Sequence, residues 1–407
     1  MGCSQRAFNS NLNKIDDMEL NLVEEETLFI PEDQLPSQYL EHIEKTYPTY
    51  FSMGGERSRG EWVYFLRSKG YIGLFPLRGS VLVRVEPKIP CLSVWKMITS
   101  SMGVLEAMEP EKVHSVAGLS HALVANYVRI VGERLDRGLL WDYRSAEEGG
   151  RPIRGRIIGP EVKRLPLVRC RYDEGGYDHR ANQKILWTLH NLSSMVLEQE
   201  LFDRIRRLIR ELTPKVSLKH VADDLTLIRF PRLYSEYRTL NILSKFILAH
   251  STPVISSGQS STLPFIFHMP TLFEEAVASW MHRSFSSRVV VKRQWSIPLK
   301  GVNSLCFKID LALLAKETLQ PIVIFDTKYK GDRNPSTADV HQVASYAVET
   351  SARHAVLLYP QKNIEHTEFF VGPIKVLTLG FDFQKTDWSD IALDIYNFVD
   401  SLIESHS

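Results

Sequence analysis

The spacing of apolar positions changes several times along the chain, and each change marks a different kind of element. Up to about residue 58 no period is sustained: the stretch is polar, acidic and interrupted by Pro31, Pro36 and Pro48, which predicts an N-terminal extension, 1–58, with little core of its own. Short β-branched and aromatic runs follow, Trp62–Leu66, Tyr71–Phe75 and Val81–Val85, with Gly70 and Gly79 at turn positions. That spacing predicts a meander or small barrel, closed off by Pro87 and Pro90. Helices are predicted at about 92–102 and 118–137, the second from the stripe Leu123, Tyr127, Ile130, Val131 and Leu135. These elements make up a β-rich domain over 59–175.

Residues 183–250 read as mostly helical, with breaks near Thr213-Pro214 and Phe230-Pro231. Ile185, Leu186, Leu189, Leu192 and Val196 give one amphipathic helix; Ile205, Leu208, Ile209 and Leu212 give another, with Arg204, Arg206, Arg207 and Arg210 among them. A loop by composition covers 251–262 and ends a helical middle region, 176–262. Over 263–407 the pattern is clearest. A helix at about 271–284 precedes strands near 288–297, 305–314 and 321–327; a helix at 337–349 precedes strands at 355–359 and 374–379. The order α-β-β-β-α-β is buried most simply as a mixed sheet flanked by helices. The fold class is therefore multi-domain α/β.

Composition adds bounds. The 407 residues allow two or three domains, and the 44% hydrophobic and 24% charged fractions are those of a globular chain. A net charge of +1 names no partner, but its distribution is uneven. Residues 15–44 hold ten acidic side chains and no Lys or Arg, whereas 129–171 hold eleven basic against six acidic. Solvated surface and a binding role both remain open for these stretches. Cys3, Cys91, Cys170 and Cys306 form no CxxC pair, which argues against a zinc knuckle or a disulfide framework and fits a reducing cytoplasm. No apolar run reaches the roughly 18 residues of a membrane span. The start Met1-Gly2-Cys3 has Arg6 where a myristoylation signal needs Ser or Thr.

The chemistry is concentrated in the last region. Ile322-Val323-Ile324-Phe325 is apolar without alternation, as in a strand buried on both faces, and it runs into Asp326-Thr327-Lys328. Residues two apart on a strand share a face, so Asp326 and Lys328 converge. The preceding strand carries Asp310 in apolar surroundings, and hairpin pairing brings it near Asp326. Two carboxylates could bind a hard divalent cation while Lys328 orients and deprotonates a water, the combination that phosphodiester hydrolysis needs. On the next helix Gln342 and Tyr346 are four apart and neighbours. Glu274 has a second reading, as the partner of Thr271 in a capping box.

Taken together, these blocks resemble the McrC family, the nuclease subunit of modification-dependent restriction systems. The resemblance covers roughly 60–380. It is carried by Tyr71-Ile72-Gly73-Leu74 leading to Glu86-Pro87-Lys88-Ile89-Pro90, by 151–157, by 177–186, by Met269-Pro270-Thr271-Leu272-Phe273-Glu274, and by Ile309-Asp310, Asp326-Thr327-Lys328-Tyr329-Lys330 and Gln342–Ala347. It implies a PD-(D/E)XK nuclease with a restriction-endonuclease-like core. Asp310, Asp326 and the Thr327 backbone carbonyl would hold Mg2+, with Mn2+ as a substitute. Lys328 would be the catalytic lysine, Gln342 and Tyr346 the QxxxY element, and Glu274 the acid of the first core helix. Ile309 stands where the family pattern has Pro. The resemblance also implies double-stranded DNA as substrate, two copies or two complexes to cut both strands, and a separate AAA+ GTPase of the McrB type, docked on the β-rich region and stimulated by it. This sequence has no GxxxxGK[ST] loop of its own. A stand-alone repair or recombination nuclease, and an inactive activator or scaffold of an AAA+ ring, are the alternatives.

Overall fold

The computed structural model describes residues 18–406 except 59–60, 78–80, 105–107, 109, 111–112, 151–154, 161–167, 196–197, 223–224, 226–228, 252–264, 299–305, 331–334, 361–366, 384 and 386–387. The chain start with Cys3 and Arg6, the turn at Gly79, Val196, Leu305, the Arg151–Arg154 part of its block and nearly all of the 251–262 loop lie outside these residues. The chain divides into two units: Met1–Ala122, Ser256–Gly258 and Phe265–Ser407 form one, Leu123–Ile255 and Gln259–Pro264 the other.

The first unit begins with strands β1 (Glu19–Val23) and β2 (Thr27–Pro31), helix α1 (Ser37–Thr46), and strands β3 (Phe51–Ser58), β4 (Glu61–Ser68), β5 (Tyr71–Pro76) and β6 (Leu82–Glu86). Residues 18–58 are thus no extension without a core. Leu20 and Leu22 are buried while Glu19 before them and Asn21 between them turn outward, α1 buries Tyr39, Leu40 and Ile43, and the buried residues join one apolar cluster with Phe51, Phe75 and Val85. Among the described residues of this stretch the acidic side chains occupy solvent positions, with the exception of the buried Glu24. Pro31 ends a strand and Pro36 stands at the cap of α1, so the prolines punctuate elements.

The expected meander is split as well: β4 pairs with β2 and β3, whereas β5 and β6 pair with each other, and β1 adds to β6 in parallel. The chain turns between the sheets at Ser68–Gly70, where the Ser68 hydroxyl accepts from the Tyr71 N–H at 3.0 Å and Gly70 takes φ 76°. Helices α2 (Cys91–Met102) and α3 (Val116–Asp136) follow, and α3 runs on into the second unit.

The second unit holds strands β7 (Asp142–Gly150), β8 (Arg156–Pro160) and β9 (Val168–Gly176), in the order β7-β9-β8, and helices α4 (Arg180–Ser193), α5 (Gln199–Leu212) and α6 (Glu236–His250). The helices fall where the apolar spacing predicts them. The three strands do not appear in that pattern, because charged residues and glycine occupy both alternating sets. Arg134 is buried, bonded to the carbonyls of Gly138 and Leu233 at 2.9 Å and paired with Glu236 at 3.2 Å.

Back in the first unit, strand β10 (Ile266–His268) pairs antiparallel with β5 and leads directly into helix α7 (Met269–Phe285). This strand ties the start of the C-terminal region to the N-terminal sheet, and both lie in the first unit. The approach is close at Gly73, where φ is 145° and a β-carbon would sit 2.2 Å from the Phe265 carbonyl oxygen. The C-terminal sheet then has strands β11 (Val289–Pro298), β12 (Cys306–Ala315), β13 (Pro321–Thr327), β14 (His354–Tyr359), β15 (Glu368–Val371) and β16 (Ile374–Gly380), in the order β11-β12-β13-β14-β16-β15. Helix α8 (Thr337–Thr350) connects the parallel pair β13 and β14; α9 (Trp388–Ile391) and α10 (Leu393–His406) end the chain. The expected αβββαβ order is present, with β15 as an additional edge strand. Among the described residues, no helix is long and apolar enough to cross a membrane.

Candidate active site

Strand β13 lies between an antiparallel and a parallel neighbour, and Ile322 to Asp326 are all buried. Its apolar residues carry it through the middle of the sheet and deliver Asp326, 1% exposed, at its end. The pairing with β12 runs to Leu311–Phe325, and one further step along that register sets Asp310 opposite Asp326. At this point the sheet is interrupted. The ladder between β11 and β12 skips from Arg293–Leu311 to Trp295–Ile309, and the residue left out, Gln294, has φ 44°. Ile309 and Ala312 both enter the same apolar cluster, so the alternation of β12 slips across Asp310. A left-handed conformation at a residue with a side chain costs energy and is commonly found at functional sites.

The slip turns the Asp310 carboxylate onto Thr327: its Oδ2 accepts from the Thr327 N–H at 2.8 Å and from the hydroxyl at 2.9 Å. Lys328 Nζ lies 2.7 Å from Asp326 Oδ2 and donates to Gln342 Oε1 at 2.9 Å. Gln342 Nε2 donates in turn to the Tyr346 hydroxyl at 2.8 Å, as the four-residue spacing predicts. Asp326, Lys328, Gln342 and Tyr346 therefore form one connected set. Asp310 adjoins it through Thr327, and its charge acts on Asp326, Lys328 and Glu274.

Glu274 is not a capping partner. Helix α7 starts at Met269, two residues before Thr271, whose hydroxyl bonds His268 Nδ1 at 2.7 Å. The Glu274 carboxylate instead accepts from Gln294, so the strained residue opposite Asp310 is fastened to α7. Asp339 has no role in the sequence reading, yet it lies 3.6 Å from Lys328 Nζ and pairs with Lys330 at 2.8 Å. The signal was the helix start: Ser336 and Asp339 form a capping box at α8, which aims the Asp339 carboxylate back toward β13.

Negative charge dominates this cluster. Burial pushes the Asp326 carboxyl up to about 6; the Lys328 ammonium opposes the shift and the Asp310 charge adds to it. Burial also raises Glu274, reinforced by Asp310. For Lys328, burial works against the charge, but the bond to Asp326 and the fields of Asp326, Asp339 and Asp310 outweigh it, and the ammonium is held above the ordinary lysine range. In this arrangement Lys328 is held as a donor of protons to the oxygens around it. Two carboxylates short of positive charge, one of them buried, form a donor set that fits a hard cation. Among the described residues no three His, Cys, Asp or Glu side chains converge as a cage. The protein would thus supply Asp310, Asp326 and a backbone carbonyl such as that of Thr327, with water completing the sphere.

The sequence matches the family described as McrBC 5-methylcytosine restriction system component over residues 66–360. No curated protein matches. The fold is similar to that of a chain in a refined half-complex from a tetradecameric assembly of Thermococcus gammatolerans McrB AAA+ hexamers with bound McrC: TM-score 0.60, 14% identity, covering 95% of this chain and 100% of that one. A chain in the Thermococcus gammatolerans McrBC complex aligns with TM-score 0.43 and 12% identity, over 66% of this chain and 88% of that one.

Proposed function

The chain belongs to the McrBC 5-methylcytosine restriction system component family, and on that premise we propose that it is the DNA-cleaving subunit, a metal-dependent endonuclease of the PD-(D/E)XK kind. One observation carries the reading: at the end of the central strand, Asp326 and Lys328 pair at 2.7 Å, with Asp310 on the adjoining strand bonded to the intervening Thr327. Asp310, Asp326 and the Thr327 carbonyl would hold Mg2+, which supplies positive charge against the phosphate and makes water more acidic. The residues of this chain do the rest. Lys328, fixed as an ammonium by Asp326, Asp339 and Gln342, directs its protons at a phosphate oxygen and offsets the charge that grows in the transition state. Gln342, steadied by Tyr346, keeps that ammonium from swinging away. A water oxygen forms the new bond to phosphorus, the bond to the leaving sugar oxygen breaks, and one proton passes from the water to solvent while the sugar oxygen takes one up.

The partner follows from the same reading. The structural neighbour was seen with McrB AAA+ hexamers, and we assign this chain a separate AAA+ GTPase of that type, which it stimulates. Double-stranded DNA is the substrate, and two copies or two complexes cut its two strands. Asp326→Ala and Lys328→Ala, assayed with Mg2+ and the GTPase on 5-methylcytosine DNA, should each lower cleavage by roughly a hundredfold or more. GTPase stimulation and melting temperature should remain near those of the wild-type protein. Cleavage that survives both substitutions, or an unfolded Lys328→Ala protein, would return these residues to a structural role.

A further inference from the structure

Lys328 is followed by a residue that the chemistry above does not use. Tyr329 is buried, 6% exposed, and its hydroxyl donates at 2.9 Å to Oε2 of Glu24, a residue 305 positions earlier in the chain. Glu24 is itself 1% exposed and stands just past the end of β1, where its N–H bonds the Glu86 carbonyl at 2.8 Å. The same place receives Lys88. Its ammonium lies 4.3 Å from the centre of the Tyr329 ring, donates to the Tyr329 carbonyl at 3.4 Å and pairs with Glu25 at 2.8 Å. Lys88 belongs to Glu86-Pro87-Lys88-Ile89-Pro90 and Tyr329 to Asp326-Thr327-Lys328-Tyr329-Lys330, two sequence blocks with no evident connection until the fold joins them.

This arrangement is costly for a merely structural contact. Glu24 Oε1 is buried with no hydrogen-bond partner among the described residues. Burying a carboxylate against a phenol costs desolvation that an apolar side chain of the same size would avoid. Among the described residues, few backbone hydrogen bonds hold the piece of chain where the contact is made. Beyond the end of β13, the Lys328 N–H reaches the Leu358 carbonyl at 2.8 Å and the Lys330 N–H turns back to the Lys328 carbonyl at 3.0 Å. The Tyr329 side chain is therefore a main anchor of the short piece of backbone that carries Lys328.

We infer that Glu24 and Lys88 form a clasp on Tyr329 that positions Lys328 for the reaction, so that the strand β1 region is a working part of the nuclease centre. The role of Lys328 in cleavage rests on the function proposed above; the clasp on its backbone does not. Glu24, Lys88 and Tyr329 are positioning residues: none belongs to the Asp310, Asp326, Lys328 and Gln342 set. Because they act through the placing of an ammonium, their loss should slow turnover without weakening the grip on DNA.

The test uses the full chain with its GTPase. Tyr329→Phe, which keeps the ring and removes the donor, should lower kcat by roughly ten- to a hundredfold with KM for DNA unchanged, the scale expected for a small misplacement of a reacting group. Glu24→Ala should do the same, and Glu24→Gln, which keeps an acceptor, should restore most of the rate. A wild-type kcat in both Tyr329→Phe and Glu24→Ala overturns the clasp, as does a loss that appears only in KM. Should Tyr329→Phe fail to fold, the Ala and Gln replacements of Glu24 decide the matter between them. A second readout needs no turnover. The 15N ammonium resonance of Lys328, identified by its absence in Lys328→Ala, should shift in Tyr329→Phe and Glu24→Ala and return in Glu24→Gln. An unmoved resonance overturns the clasp even where cleavage falls, and a shifted resonance in a protein that cuts no DNA overturns the nuclease reading alone.

Discussion

Asp326 illustrates how much a single side chain can be asked to hold. Its carboxyl is pushed up to about 6 by burial in spite of an ammonium 2.7 Å away, so the folded protein bears a cost for keeping it ionised at neutral pH. The sign follows from linkage. Below about pH 4 both folded and unfolded states carry the proton; between about 4 and 6 the unfolded chain releases it first, and stability falls as pH rises. Asp326→Asn, which cannot ionise, should match the wild type near pH 4 and exceed it by up to about 3 kcal/mol above pH 6, while losing cleavage. Melting curves of both proteins in chelator across that range would check it, and a variant less stable than wild type at pH 7 would contradict it. Asp310, Asp326 and Lys328 could be read in the sequence because an apolar run without alternation ends in charge. Gln342 and Tyr346 could be read because helical spacing is local. The partners of Glu274 and Tyr329 could not be, since Gln294 is 20 residues away and Glu24 is 305.

Elements were legible where one face is apolar. Helices α4 to α8 and strands β11 to β14 and β16 follow the spacing of apolar residues closely, with ends moved by a few positions. The β7-β9-β8 sheet was not, because a strand that is polar on both alternating sets has no period to detect. The capping box at α8 shows what a helix start contributes: Ser336 and Asp339 fix the first turn, and the same Asp339 reaches Lys328 and Lys330. At the junction of β5 and β10, Gly73 has φ 145° and no room for a β-carbon. Gly73→Ala should therefore destabilise the protein by about 3 kcal/mol or more, combining backbone strain with the loss of that pairing. Denaturant titration would reveal it; a change below about 0.5 kcal/mol, the size of an ordinary surface substitution, would mean the junction tolerates separation.

At the scale of the whole molecule, the acidic start of the chain is the main difference from the sequence reading. Composition marks 18–58 as solvated, and its charged positions are, apart from the buried Glu24; the apolar positions between them complete a core shared with β5 and β6. Removing residues 1–58 would strip Leu20, Leu22, Ile30, Tyr39, Ile43 and Phe51 from that cluster together with Glu24. The truncated chain should be insoluble or lack a cooperative melting transition, and a folded, fully active truncation would contradict the account of this region. The N-terminal sheet and the C-terminal sheet belong to one compact unit, and residues far apart in sequence meet beside Lys328. The central claim is that Asp310 and Asp326 share one divalent cation. Anomalous diffraction from crystals soaked in Mn2+ tests it most directly. A single peak about 2.0–2.5 Å from an oxygen of each carboxylate is the predicted result; a Mn2+ ion bound elsewhere, with the two carboxylates untouched, would contradict it.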